Sequence, residues 1–128
     1  MTSIRIEGIE ELQAKLGRVA AIEMLRDPMR RAVTAIESYM KVYPPPPPNS
    51  LYIRTRRLGN AWESKIVQKS GGLEGTINNN TEYGPFVQSS LFQSRIHQGR
   101  WQTDQDAMAR YERPIVADFE DAIQRALR

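Results

Sequence analysis

Trp62-Glu63-Ser64-Lys65-Ile66-Val67, then Ser70-Gly71-Gly72, then Leu73 to Asn78: the fold class turns on these residues. The first run alternates in part between apolar and polar side chains, the period of a strand with one buried face. The Ser-Gly-Gly turn and the run after it predict a returning strand, and so an antiparallel hairpin. Asn78-Asn79-Asn80 marks the next turn, because Asn tolerates left-handed backbone angles. Ile4-Arg5-Ile6 alternates too and predicts a short N-terminal strand. Tyr83 to Val87 predicts a third strand, which Pro85 confines to an edge or to its own start.

Outward from the hairpin the period becomes helical. Ile9, Leu12, Leu16, Val19 and Ala20 predict a helix running to about Leu25. Asp27-Pro28 looks like the start of a second helix: Asp can cap free amides, and Pro suits the first turn. Met29, Ala32, Val33, Ile36 and Met40 then form one apolar stripe, and Pro44 makes Tyr43 the last residue that can be helical. Pro44 to Pro48 predicts a stiff polyproline connector of about 15 Å. Its alternative use, as a ligand for a proline-recognition domain, is the less simple one. Gln88 to Gln102 has no period and predicts a long loop, mobile in the free protein and ordered against a partner. Thr103-Asp104-Gln105-Asp106 has the spacing of a capping box. A helix follows to about Arg113, kinked or restarted at Pro114, with Ile115, Phe119 and Ile123 on the face turned to the stripe of the second helix. The expectation is an α+β fold: one domain over residues 1–128, with a small antiparallel sheet packed against N-terminal, second and C-terminal helices.

Composition narrows the function. A 128-residue chain can bury roughly two-thirds of its unfolded surface, enough for a core without staples. It contains no Cys, which removes disulfides and thiolate metal sites. No apolar run approaches the ~20 residues of a membrane span. Met1-Thr2-Ser3-Ile4-Arg5 lacks the apolar core of a signal peptide. These features predict a soluble protein of the cytoplasm, unless it leaves within a particle. The net charge of +3 is unevenly spread: residues 1–40 are neutral, 41–103 carry +5 and 104–128 carry −2. A basic, loop-rich middle suits an acidic partner, either nucleic acid or an acidic protein surface.

Catalytic chemistry finds little support. His97 is the only histidine, and no nucleophile turn of the G-x-S-x-G type occurs. Glu63, Glu74, Glu82 and Asp104 lie in or near the basic region, where a magnesium-dependent nuclease would need carboxylates, but at no recognised spacing. Gly71-Gly72 with Gly75 lacks the Lys-Ser/Thr that closes a phosphate loop. No cofactor is expected. Arg54, Arg56 and Arg57 cluster beside Tyr52, and Arg95 and Arg100 beside His97 and Trp101. Arginine among aromatics can pair with phosphates and stack on bases. It can equally supply anchors and ion pairs at a contact between subunits.

Several of these pieces, in this order, resemble the small tail-completion or head–tail joining (neck) proteins of long-tailed phages and prophages. Gly8-Ile9-Glu10-Glu11-Leu12 with Leu16 is similar to that family's opening helix. A long second helix ending at prolines matches Tyr43-Pro44, and Thr55-Arg56-Arg57-Leu58-Gly59-Asn60-Ala61 resembles the turn that opens its sheet. Tyr83-Gly84-Pro85-Phe86-Val87-Gln88 resembles its later tyrosine strand, and Ile115 to Leu127 its closing helix. Arg56 stands where the family has a turn glycine, and Gln88-Ser89-Ser90 replaces its Glu-x-Gly-Thr. The resemblance implies a virion protein, not an enzyme. It implies a homo-oligomeric ring around the DNA channel, touching other neck and tail proteins and non-specifically the packaged DNA, with no membrane role. Arg54, Arg56, Arg57, Arg95, Arg100 and Trp101 are the residues expected to make subunit or channel contacts. The alternative is a basic nucleic-acid-binding accessory protein using the same arginines.

Overall fold

The computed structural model of the chain describes residues 2–45, 57–69 and 72–127, with the side chain of Arg57 left out. Strand β1 spans Thr2–Ile6, β2 Trp62–Lys69 and β3 Gly72–Asn79. They form one antiparallel sheet in the order β1-β3-β2. Thr2 faces Ile77 and Ile6 faces Leu73 on one side of β3; Trp62 faces Asn79 and Lys69 faces Gly72 on the other. The hairpin expected from the sequence is present, although Ser70 and Gly71 of its turn, like Pro46 to Pro48 of the connector, lie outside the described residues.

The third strand is β1, and not Tyr83 to Val87 as expected. Gly84–Gln88 is instead a short helix, α4, with Pro85 in its first turn, where a fixed φ and a missing N–H cost nothing. The chain cannot run back along the sheet there. The Asn79 Oδ1 accepts from the Thr81 amide (3.0 Å) and hydroxyl (2.7 Å), a side-chain turn that reverses the backbone at once. Both flanks of β3 are already paired, so a further strand has no partner next to it.

Two boundaries also differ. Helix α1 spans only Glu10–Leu16, and α2 runs unbroken over Arg18–Met40. The break is at Gly17, whose φ of 86° and ψ of 154° suit glycine and few other residues. Pro28 lies inside α2, where a proline costs about 3 kcal/mol through one lost bond and a clash with the preceding turn. Burial offsets it: Pro28, Leu25, Met29 and Ile36 are all fully enclosed. Asp27 does not cap a helix; its carboxylate accepts from Arg30 Nη1 at 2.7 Å. The C-terminal helix α5 is likewise one segment, Asp104–Ala126, passing through Pro114 without a restart. Its capping box is formed: the Asp106 amide donates to Thr103 Oγ1 (3.2 Å) and the Thr103 amide to Asp106 Oδ2 (2.9 Å).

Helix α2 lies across the inner face of the sheet, and α5 packs on α2 from the other side. Met29, Val33, Ile36 and Met40 share one core with Ile115, Phe119 and Ile123, and Leu73 and Ile77 close it from the sheet. This is the α+β arrangement, with the helices on one side. Among the described residues no helix packs on the outer face of the sheet. There Arg5 Nε donates to Glu74 Oε2 at 2.7 Å, which gives the buried Glu74 carboxylate its counter-charge.

Outside the core, α5 is tied to α2 by a two-pronged ion pair, Arg31 Nε and Nη2 to the two oxygens of Asp118 at 2.8 and 2.9 Å. The hydrogen bonds from Arg31 hold the Asp118 pKa below the ordinary carboxylate value. A depressed carboxylate stabilises the fold above its unfolded pKa and loses that effect as pH falls through the folded value. Asp118→Asn is therefore expected to cost about 0.5–1 kcal/mol at neutral pH, after solvent screening, and nothing at strongly acidic pH. Urea titrations at several pH values read the difference; an equal loss at all pH values would exclude this pair as its cause.

Candidate assembly surface

One end of the molecule is built around Tyr43, just beyond the end of α2. Trp62 Nε1 donates to Tyr43 Oη at 2.8 Å. The Trp101 ring lies 4.8 Å from the Tyr43 ring, tilted by 47°, and His97 meets Trp101 edge-on at 6.0 Å. Burial pushes the Tyr43 phenol up in pKa against the opposing hydrogen bond from Trp62. Both tryptophans, far apart in sequence, thus converge on one tyrosine. Arg57–Asn60 forms a single helical turn, α3, against the same group: a Cβ added at Gly59 would sit 3.3 Å from Tyr43 Cε2.

The expected long loop, residues 88–102, is irregular beyond the end of α4 and is held by hydrogen bonds as a strap. Its polar side chains satisfy backbone groups. Gln88 Nε2 donates to Met40 O (3.0 Å), and Gln102 Nε2 to Tyr39 O (2.7 Å) and to Val42 O. Tyr39 O and Met40 O lie in the last turn of α2, where carbonyls lack partners within the helix; Val42 O is two residues beyond it, and the Val42 amide also donates to Tyr39 O at 3.2 Å. Gln93 Nε2 donates to Val87 O (2.6 Å) and Trp101 O (3.1 Å), and the Ser94 amide to Phe86 O (2.7 Å). Arg95–His97 is a short 3₁₀ turn. Gln88 Oε1 and His97 Nδ1 are buried and find no hydrogen-bond partner among the described residues.

With Gln88, Gln93 and Gln102 turned inward, α4 and the strap leave large apolar side chains outside. Phe86 is 54 % exposed, Leu91 83 %, Phe92 62 % and Ile96 75 %. The bond from the Ser94 amide to Phe86 O folds the strap back on α4, the two segments that carry these residues. Leu91 and Phe92 rim a cavity of about 210 Å³ that also reaches Trp62 and Ile77. Arg95 and Arg100 are exposed beside them, and neither forms an ion pair among the described residues.

The expected contact residues therefore divide. Arg95 and Arg100 lie on this surface, and α3 brings the Arg57 backbone to the neighbouring aromatic group. Arg54 and Arg56 lie outside the described residues. Trp101 is partly buried against Tyr43 and His97 and so helps to hold the strap. Phe86, Leu91, Phe92 and Ile96 were missed by the sequence reading. Their signal was Leu91-Phe92 set among Ser89, Ser90, Gln93 and Ser94 without any period that would bury them.

The four carboxylates weighed for metal chemistry are scattered. Glu63 is on the open sheet face, Glu74 is held by Arg5, Glu82 is exposed, and Asp104 accepts from the Ser90 amide at 2.9 Å. Among the described residues no three or more His, Cys, Asp or Glu side chains gather as metal donors, and no helix is long and apolar enough to cross a membrane. No family model, curated protein or solved structure matches the chain.

Proposed function

We propose that this protein is a structural component of a long-tailed phage or prophage particle, joining or completing the tail at the head–tail junction. In this reading it assembles as a homo-oligomeric ring around the DNA channel and touches other neck and tail proteins. It waits in the host cytoplasm until it enters the virion. The observation that carries the reading is the set of exposed apolar side chains Phe86, Leu91, Phe92 and Ile96 on α4 and the strap, with Arg95 and Arg100 exposed and in no ion pair among the described residues. A monomeric soluble domain rarely leaves so many large apolar side chains together in water, and such patches mark interaction sites. The order of short motifs along the chain selects the phage neck or tail class among assembling proteins.

The second reading, a nucleic-acid-binding accessory protein, rests on the same arginines. Against it, Trp101 is partly buried, in tilted contact with Tyr43 and edge-on to His97, which leaves less of its ring as a platform for bases.

Disrupting the gene in the phage that encodes it is expected to leave filled heads and separate tails. Arg54, Arg56 and Arg57 replaced together by Ala should block joining while the subunit stays folded. Under the second reading the free subunit binds DNA tightly, its affinity falls steeply with salt, and the triple variant lowers that slope by up to about three units. Such binding together with normal particles from the disrupted phage would overturn the structural reading.

A further inference from the structure

Helix α5 carries a stripe that mirrors the strap. Glu112, Val116 and Glu120 are spaced i, i+4, i+8, which sets them along one strip of the helix. Val116 is 50 % exposed, an apolar residue between two acids. The other acids of α5 are occupied: Asp118 holds Arg31, Asp121 holds Arg125, and Asp104 and Asp106 hold backbone amides. Glu112 and Glu120 form no ion pair among the described residues. On the strap, Ile96 is exposed along with Leu91 and Phe92, and the exposed cations Arg95 and Arg100, which form no ion pair among the described residues, lie one residue before and four residues after it. Arg113, exposed and in no ion pair among the described residues, lies on the same strip as Glu112 and Glu120, so the stripe carries a net charge of −1 against the +2 of Arg95 and Arg100.

We propose that these two surfaces are the halves of one contact: the strap of each subunit docks on the Glu112–Val116–Glu120 stripe of a second copy of this chain. The inference rests on the ring reading above and names the faces that would build the ring. One copy cannot join its own halves. The Ser90 amide is bonded to Asp104 at the start of α5, and Val116 lies about 18 Å further along the helix. A two-fold contact of strap with strap is disfavoured, because it would set Arg95 and Arg100 against the same cations of the partner. Strap on stripe pairs unlike patches, the heterologous geometry that closes into a ring when the rotation allows. The exposed Phe92 and Leu91 then supply large apolar anchors of the kind that carry interface energy.

The absence of Cys makes the test specific. Ile96→Cys and Val116→Cys proteins are prepared separately, mixed and oxidised, and the disulfide dimers are separated by mass under non-reducing conditions. A heterologous contact predicts the mixed dimer in about tenfold excess over either same-variant dimer. Val67→Cys, on the open sheet face, mixed with Val116→Cys gives the background. Adding Arg95→Glu and Arg100→Glu to the Ile96→Cys protein should bring the mixed dimer down to background. Adding Glu112→Arg and Glu120→Arg to its partner should restore it. The proposal is overturned if the mixed dimer stays at background, if Ile96→Cys pairs mainly with itself, or if the charge exchange fails to restore pairing. Gene disruption addresses the particle separately: a mixed dimer from a gene whose loss leaves particles normal would sink the virion role and keep the interface.

Discussion

Gly75→Val is expected to lower Tm by about 5–15 °C, the effect of about 1–3 kcal/mol of overpacking in a domain of this size. Gly75 lies in the central strand directly beneath α2. A Cβ there would sit 2.6 Å from Val33 Cγ1 and 2.7 Å from Met29 Sδ. Met29 has rotatable bonds with which to withdraw. Val33 is β-branched and stiff at χ1, so it cannot swing away without lifting the helix from the sheet. A strand would otherwise gain from valine in place of glycine, so the sign of the change isolates the helix–sheet distance. Pairing Gly75→Ala with Val33→Ala should cost less than the sum of the two single changes, because the smaller residue at position 33 makes the room. Thermal and urea unfolding of the four proteins measure the coupling. A Gly75→Val protein within about 0.5 kcal/mol of the parent would show that α2 does not rest on β3 at this point.

Phe119→Ala is expected to cost about 3–5 kcal/mol, the range for removing a buried ring and leaving a cavity. Phe119 is 8 % exposed, and apart from Ala107 it is the only residue of α5 classed as buried. It is the principal anchor of α5 on α2. The remaining contacts there are partly open to water: Ile115 and Ile123, the Tyr39–Tyr111 edge-to-face pair at 5.7 Å, and the Arg31–Asp118 bridge. A loss below about 1 kcal/mol would place Phe119 at the surface or in a contact between subunits.

Much of this architecture was legible in the chain. Met29, Val33, Ile36 and Met40 at helical spacing named the buried face of α2. Thr103 and Asp106 named the start of α5, and Ser70-Gly71-Gly72 separated the two hairpin strands. Each of these signals is local: a period, a cap or a turn depends on residues a few positions apart. The misreadings arose where a local rule met a stronger distant contact. Asp27-Pro28 has the chemistry of a helix start, but burial of the continuous apolar face from Ala21 to Met40 outweighs the single bond that Pro28 removes. Tyr83 to Val87 has strand-like composition, yet Asn79 turns the chain and β1 already holds the free flank of β3.

For the candidate site the division is sharper. By itself the sequence determined that the middle of the chain is basic, that Arg95 and Arg100 lie beside His97 and Trp101, and that no cysteine is present to make a thiolate site or a disulfide. Only the tertiary structure decided which of these groups face water. Trp62 and Trp101 meet at Tyr43 because the end of α2, the start of β2 and the strap come together there. Gln88, Gln93 and Gln102, polar residues in an apparent loop, turn inward and donate to carbonyls in the last turn of α2, just beyond it and along the strap. Leu91, Phe92 and Ile96 are left outside by the same folding. Exposure is a property of what packs against a residue, and here the packing partners lie up to sixty-three positions away, as in the bond from Gln102 to Tyr39.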